Sequence, residues 1–101
     1  MSAAYLVVES NISDPETFKK YMAAAPEVVK AFGGEYLVRG GRMQVLEGDW
    51  QPPRLTVLRY PSFEQAKAMY DSPAYTHARS LREGATACFN MVLVEGVADA
   101  V

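Results

Sequence analysis

The sequence predicts an α+β fold of the split βαβ kind, an antiparallel sheet with two helices on one of its faces. Three observations lead there. Apolar runs of strand character lie at residues 4–9, 54–60 and 87–95. Two stretches with apolar residues at three- and four-residue spacing separate them, each opened by a capping signature. An alternating segment at 35–50 carries Gly40-Gly41 at its centre, the mark of a tight hairpin turn. The order strand, helix, hairpin, strand, helix, strand buries its apolar stripes when both helices pack on one sheet face.

The first strand, 4–9, is apolar at every position up to Glu9. Ser13-Asp14-Pro15-Glu16 opens the first helix. Either Asp14 caps it with Pro15 at the first helical position, or Ser13 caps it and Glu16 closes a capping box. Phe18, Tyr21, Met22, Ala25, Val28, Val29 and Phe32 give it one apolar stripe. Pro26 predicts a kink, or two short helices, near Ala25. Gly33-Gly34 ends the helix in left-handed geometry and leads into the hairpin. A two-residue turn at Gly40-Gly41 sets Val38 opposite Met43 and Tyr36 opposite Val45, with Leu37, Arg39, Arg42, Gln44 and Leu46 on the other face. Its one local conflict is Arg39 directly across from Arg42. Residues 48–53 then leave the sheet as a loop holding Trp50, the only tryptophan.

Pro61 stops the strand at 54–60, and Ser62 with Gln65 forms a second capping box. Ala66, Met69 and Tyr70 give the second helix its buried face. Asp71-Ser72-Pro73 breaks that helix, and Ser72-Pro73 restarts it as cap and first position. Tyr75, Ala78, Leu81 and Arg82 follow at helical spacing as far as Gly84. The last strand, 87–95, ends at Gly96, which releases a short tail.

A chain of 101 residues is one domain, 1–101, long enough to build a core without staples. Half its residues are hydrophobic and 22% are charged, well outside the disordered range. A formal charge of −2 gives no electrostatic reason to expect nucleic acid or an anionic membrane as partner. No membrane span and no signal peptide are read, so a cytoplasmic location is expected. The lone Cys88 makes no internal disulfide, and an apolar strand is where a buried, inert thiol usually sits. The strands, however, are apolar on both faces: Leu6 and Val8 against Tyr5 and Val7, Cys88, Val92 and Val94 against Phe89, Met91 and Leu93. With helices on one face only, the other would expose a larger apolar patch than a soluble monomer carries, so a homodimer is expected.

Tyr36-Leu37-Val38-Arg39-Gly40-Gly41, Leu46-Glu47-Gly48-Asp49-Trp50, Tyr60-Pro61-Ser62 and Tyr70-Asp71-Ser72-Pro73-Ala74-Tyr75 follow one another in order, with Arg82 and Val94-Glu95-Gly96 behind them. In these motifs, over essentially the whole chain, the sequence resembles the bacterial family called domain of unknown function 1330. The resemblance implies a ferredoxin-like fold whose two sheets close face to face as a dimeric α/β barrel. It transmits no reaction. Relatives in that superfamily include cofactor-free monooxygenases, muconolactone-type isomerases and haem-degrading enzymes, and fold alone does not choose among them.

Candidate chemistry rests on a few side chains. Arg39, at a strand end, matches the family's Arg-Gly-Gly motif and can clamp a carboxylate with two hydrogen bonds, or pair with Glu35 or Glu47. Tyr36, Tyr70 and Tyr75 bring hydroxyls on different elements that, if they converge, orient or deprotonate a phenolic substrate as general acid–base groups. Arg82 matches a family arginine two turns after Tyr75. Trp50 either closes a pocket mouth or plugs the barrel end. Ser72 reads as a helix cap and His77, the only histidine, as a surface residue. One histidine and one cysteine make no metal site by spacing, and no glycine-rich phosphate loop or dinucleotide fingerprint is present, so neither metal nor cofactor is expected. The expectation is a homodimer that binds a small organic acid or aromatic through Arg39, Tyr36, Trp50, Tyr70, Tyr75 and Arg82. As an enzyme it would be a cofactor-free isomerase or monooxygenase; otherwise it is a binding or dimerisation module.

Overall fold

Unbroken β character at the start of the chain makes β1 (Ala4–Ile12) the central strand in a computed structural model that describes residues 2–98. Met1 and the final three residues, with the end of the expected tail, lie outside the described residues. β1 is flanked by β3 (Leu55–Tyr60) and β4 (Thr86–Glu95), antiparallel to both, and β2 (Glu35–Arg39) adds to the far side of β3. The sheet order is therefore β2-β3-β1-β4. Three helices cover one face: α1 (Pro15–Ala31), α2 (Phe63–Asp71) and α3 (Pro73–Ser80). Among the described residues, no helix is long and apolar enough to cross a membrane.

Capping chemistry sets the helix starts. Asp14 is the cap of α1: its carboxylate accepts from the Thr17 backbone N–H at 3.2 Å and from the Thr17 hydroxyl at 2.7 Å. Pro26 does not divide α1 into two. Phe18, Ala25 and Val29 are buried along one stripe on both sides of it, and that packing holds the helix across the missing hydrogen bond. Ser62 caps α2 through the Gln65 N–H at 3.1 Å, but Gln65 does not close the box. Its amide donates instead to the Phe32 carbonyl at 2.8 Å, tying α2 to the end of α1. Ser72 ends one helix and starts the next, its hydroxyl donating to the Met69 carbonyl at 2.7 Å and accepting from the Tyr75 N–H at 3.1 Å.

The hairpin does not form. Residues 41–54 hold no strand, and β2 pairs with β3 rather than with residues 42–46. A two-stranded ribbon on a glycine turn is marginal by itself. Pairing with β3 joins β2 to a four-stranded sheet and lets Tyr36 pack against the buried core. The expected opposition of Arg39 and Arg42 therefore does not exist; Arg39 sits across from Thr56. Gly40 keeps a left-handed φ of +67°, with the Arg54 guanidinium lying 2.7 Å from where a Cβ would stand.

Alternation along β1 sorts the sheet into two faces. Ala4, Leu6, Val8 and Ser10 are buried beneath the helices, joined by Leu58 and Tyr60 of β3. Tyr5, Val7 and Glu9 point the other way, in rows with Val57, Val92 and Val94, and no helix covers them. Val92 and Val94 are 61% and 48% exposed. Cys88 is half-buried rather than buried, since it stands at the end of β4.

Candidate functional site: a donor-lined cavity between sheet and helices

A register irregularity in β2 builds the site. Tyr36 pairs with Leu58, but Val38 pairs with Val57 and Arg39 with Thr56, so Leu37 is an extra residue in the strand. In a regular strand, residues 36 and 39 would face opposite sides. The bulge re-aims Arg39 onto the helix side, where Tyr36 already is. The guanidinium carbon of Arg39 lies 4.5 Å from the Tyr36 ring centroid.

Both residues border a cavity of about 50 Å³ between the sheet and α1. Its floor is the inner sheet face, including Val8, Ser10 and Thr56, and Arg54 stands beside Arg39 on its border. From the helix layer come Tyr21 and Tyr75, whose hydroxyls are hydrogen-bonded to each other at 2.6 Å. The break at Ser72 restarts the chain as α3 and buries Tyr75. Met22, Met69 and Met91 supply much of the apolar wall.

The electrostatics are one-sided. Among the described residues, neither Arg39 nor Arg54 makes an ion pair; those present join Lys19 to Glu16, Arg59 to Glu35 and Lys67 to Asp71. The residues around the cavity include two guanidiniums, three phenols and no carboxylate, histidine, lysine or thiol. Burial raises the Tyr21 phenol well above its ordinary value, and the neighbouring Tyr75 raises it further. Burial likewise raises Tyr36, against the opposing pull of Arg39. These phenols are hydrogen-bond donors at neutral pH, not proton acceptors.

Of the six side chains singled out in the sequence, the structure brings together Arg39, Tyr36 and Tyr75. Arg82 stands behind them: its guanidinium stacks 3.7 Å from the Phe89 ring centroid and 5.0 Å from that of Tyr21, and its buried Nε has no hydrogen-bond partner among the described residues. Tyr70 accepts a hydrogen bond from Arg79 and touches the site only through its ring, 5.6 Å from that of Tyr75. Trp50 is elsewhere. Its indole donates to Glu9 at 3.1 Å, and Glu9 is on the uncovered face, so Trp50 does not close this cavity. His77 is exposed on α3. Sequence reasoning missed Tyr21 and Arg54. Tyr21 lies on the apolar stripe of α1 and reads as plain core, while Arg54 shares strand parity with Thr56 and Leu58, a signal that places it on the inner face.

Strand order and the single helix layer define a ferredoxin-like α+β protein. The chain belongs to the family named domain of unknown function (DUF1330), whose model matches residues 3–97. No curated protein matches the sequence. Among solved structures, it is similar to a protein of unknown function from Rhodopseudomonas palustris, with 16% identity, a TM-score of 0.71, and 96% of this chain and 84% of that one covered. A dimeric ferredoxin-like protein of unknown function from Thermobifida fusca superposes with a TM-score of 0.60 at 13% identity, over 91% of this chain and 89% of that one. A candidate antibiotic biosynthesis monooxygenase from Nitrosomonas europaea gives 0.58 at 15%, over 96% and 92%. At these identities the likeness is one of fold.

Proposed function

We propose that this protein is a homodimer that binds a small organic anion in the cavity between sheet and helices. The observation that carries the reading is the pair of unpartnered guanidiniums, Arg39 and Arg54, bordering a cavity whose other polar groups are hydroxyls. A carboxylate set between them takes charge-assisted hydrogen bonds from both arginines. The Tyr36 phenol and the Tyr21–Tyr75 pair donate to whatever oxygen the ligand presents deeper in. A volume of about 50 Å³ suits a head group of a few non-hydrogen atoms. A longer or aromatic tail requires the wall to move, and methionine is the side chain that repacks most readily.

Binding is favoured over proton abstraction because no side chain around the cavity accepts a proton near neutral pH. An isomerase or cofactor-free monooxygenase reading draws on the likeness to the Nitrosomonas europaea protein, and it needs a substrate that ionises unaided. The dimer is supported by the uncovered apolar sheet face and by the dimeric neighbour from Thermobifida fusca.

The test is a thermal-shift screen of short carboxylic acids, aryl acids and phenols, followed by calorimetry. Arg39 is exposed, so Arg39→Ala leaves the melting temperature nearly unchanged. Its affinity for an anionic hit falls by roughly 1.5–3 kcal/mol, the usual contribution of a hydrogen bond to a charged group. Equal affinity in parent and variant would overturn the reading.

A further inference from the structure

We infer that residues 41–53 form an arm that covers the sheet of a second copy of this chain, laying Met43, Val45 and Leu46 against Val92 and Val94 of the partner subunit. The inference rests on the dimer in the proposed function and specifies what builds its interface.

The arm is anomalous as a loop. It holds no helix or strand, and every residue from 37 to 51 is exposed. Among the described residues its backbone makes no hydrogen bond; the flanking bonds, Gly40 N–H to the Leu55 carbonyl at 2.9 Å and Ser10 N–H to the Arg54 carbonyl at 3.1 Å, stop at its two roots. A structureless connection of this length inside a small domain is uncommon and marks function. Its composition is wrong for solvent, too. Met43 and Val45 are about half exposed and Leu46 is 82% exposed, within a run, Arg42-Met43-Gln44-Val45-Leu46, of strand character.

Position names the occupant. Trp50 is tied to Glu9, and Leu55 joins Met43, Val45, Leu46 and Trp50 around an open hollow of about 750 Å³. Glu9 and Leu55 belong to the uncovered face of the sheet, so arm and face make one continuous surface, with Glu9, Gln44, Glu47 and Gln51 among its apolar side chains. That surface is self-complementary in kind: a protruding apolar segment beside a flat apolar face, as a two-fold dimer requires. Area points the same way. Strands of nine, five, six and ten residues project roughly 480 Å² at ~4.8 Å spacing and ~3.3 Å rise. A stable dimer takes ~800 Å² from each partner, and the arm supplies the difference.

Sedimentation equilibrium of the full chain at micromolar concentration tests this with two variants, Leu46→Asp in the arm and Val92→Asp on the face. Both sites are exposed within one chain, so circular dichroism is expected to match the parent. The parent should be a dimer, and each variant should dissociate at least roughly tenfold more readily, because each buries an unpaired charge in the interface. A dimeric parent in which Val92→Asp dissociates while Leu46→Asp and a second arm variant, Val45→Asp, associate as tightly as the parent overturns the arm and leaves the dimer standing. A monomeric parent overturns both.

Discussion

Tyr60 shows how one side chain serves the fold at a local cost. Its ring is fully buried and lies 2.6 Å from where a Cβ on Gly34 would stand, so the ring packs only because that residue is glycine. Its hydroxyl is buried with no hydrogen-bond partner among the described residues. An unsatisfied buried hydroxyl costs on the order of 1–3 kcal/mol. Tyr60→Phe keeps the ring and removes the penalty, so it is expected to raise the melting temperature, by about 4–8 °C for each 1 kcal/mol recovered. The Tyr21–Tyr75 pair is the contrasting case, with each hydroxyl satisfied by the other. Burial holds the protons on Tyr21, Tyr36 and Tyr60 more tightly in the folded chain than in the unfolded one, where the ordinary value is 10.0. Their contribution is fully present below that value and is lost as pH rises above it. Stability is therefore expected to be flat with respect to these groups up to about pH 10 and to fall beyond it. Tyr21→Phe should make the alkaline decline shallower, as read from denaturant midpoints against pH.

At the scale of elements, β2 separates what periodicity can tell from what it cannot. Capping residues, the broken second helix and the two-faced strands are local or pattern properties, and Asp14, Ser62 and Ser72 all act as their positions imply. The partner of β2 is not local. The glycine pair pointed to the nearest alternating segment, and pairing with β3 won because it brings Tyr36 to a core already floored by Leu58. The same limit hid half of the site. Strict alternation sends Tyr36 and Arg39 to opposite faces, and only the extra residue unites them; no residue type in that strand announces a bulge. A direct test follows. Deleting Leu37 restores regular alternation: Tyr36 inward, Val38 outward, Arg39 inward, each against its present partner. The deletion is expected to shift the melting temperature by only a few degrees, a cost of about 1 kcal/mol. It should also keep whatever anion affinity Arg39 provides. Inserting a residue after Leu37 instead turns Arg39 away, and calorimetry should then show the loss expected for Arg39→Ala.

The whole molecule is a slab. Its extents are 43 × 38 × 17 Å, and the last is the thickness of one sheet with one helix layer. Its radius of gyration of 14.1 Å exceeds the ~13 Å of a compact domain of this length. Half the sheet surface is thus left outside the fold, and it too carries apolar side chains, Val92 and Val94 among them. A third layer would ordinarily bury it; here the proposed second copy fills that place. Stability of such a chain is inseparable from its concentration, because dissociation and unfolding become one equilibrium when monomers are left with a bare face. For two-state unfolding of a dimer, each tenfold rise in protein concentration adds about 1.4 kcal/mol per dimer. The melting temperature is therefore expected to climb by a few degrees per decade of concentration. Val92→Asp should flatten that slope, since a chain that no longer pairs melts at one temperature whatever its concentration. Calorimetric scans of both proteins over two decades of concentration read this directly, and a parent whose midpoint stays fixed would mean that the slab is stable with its apolar face in water.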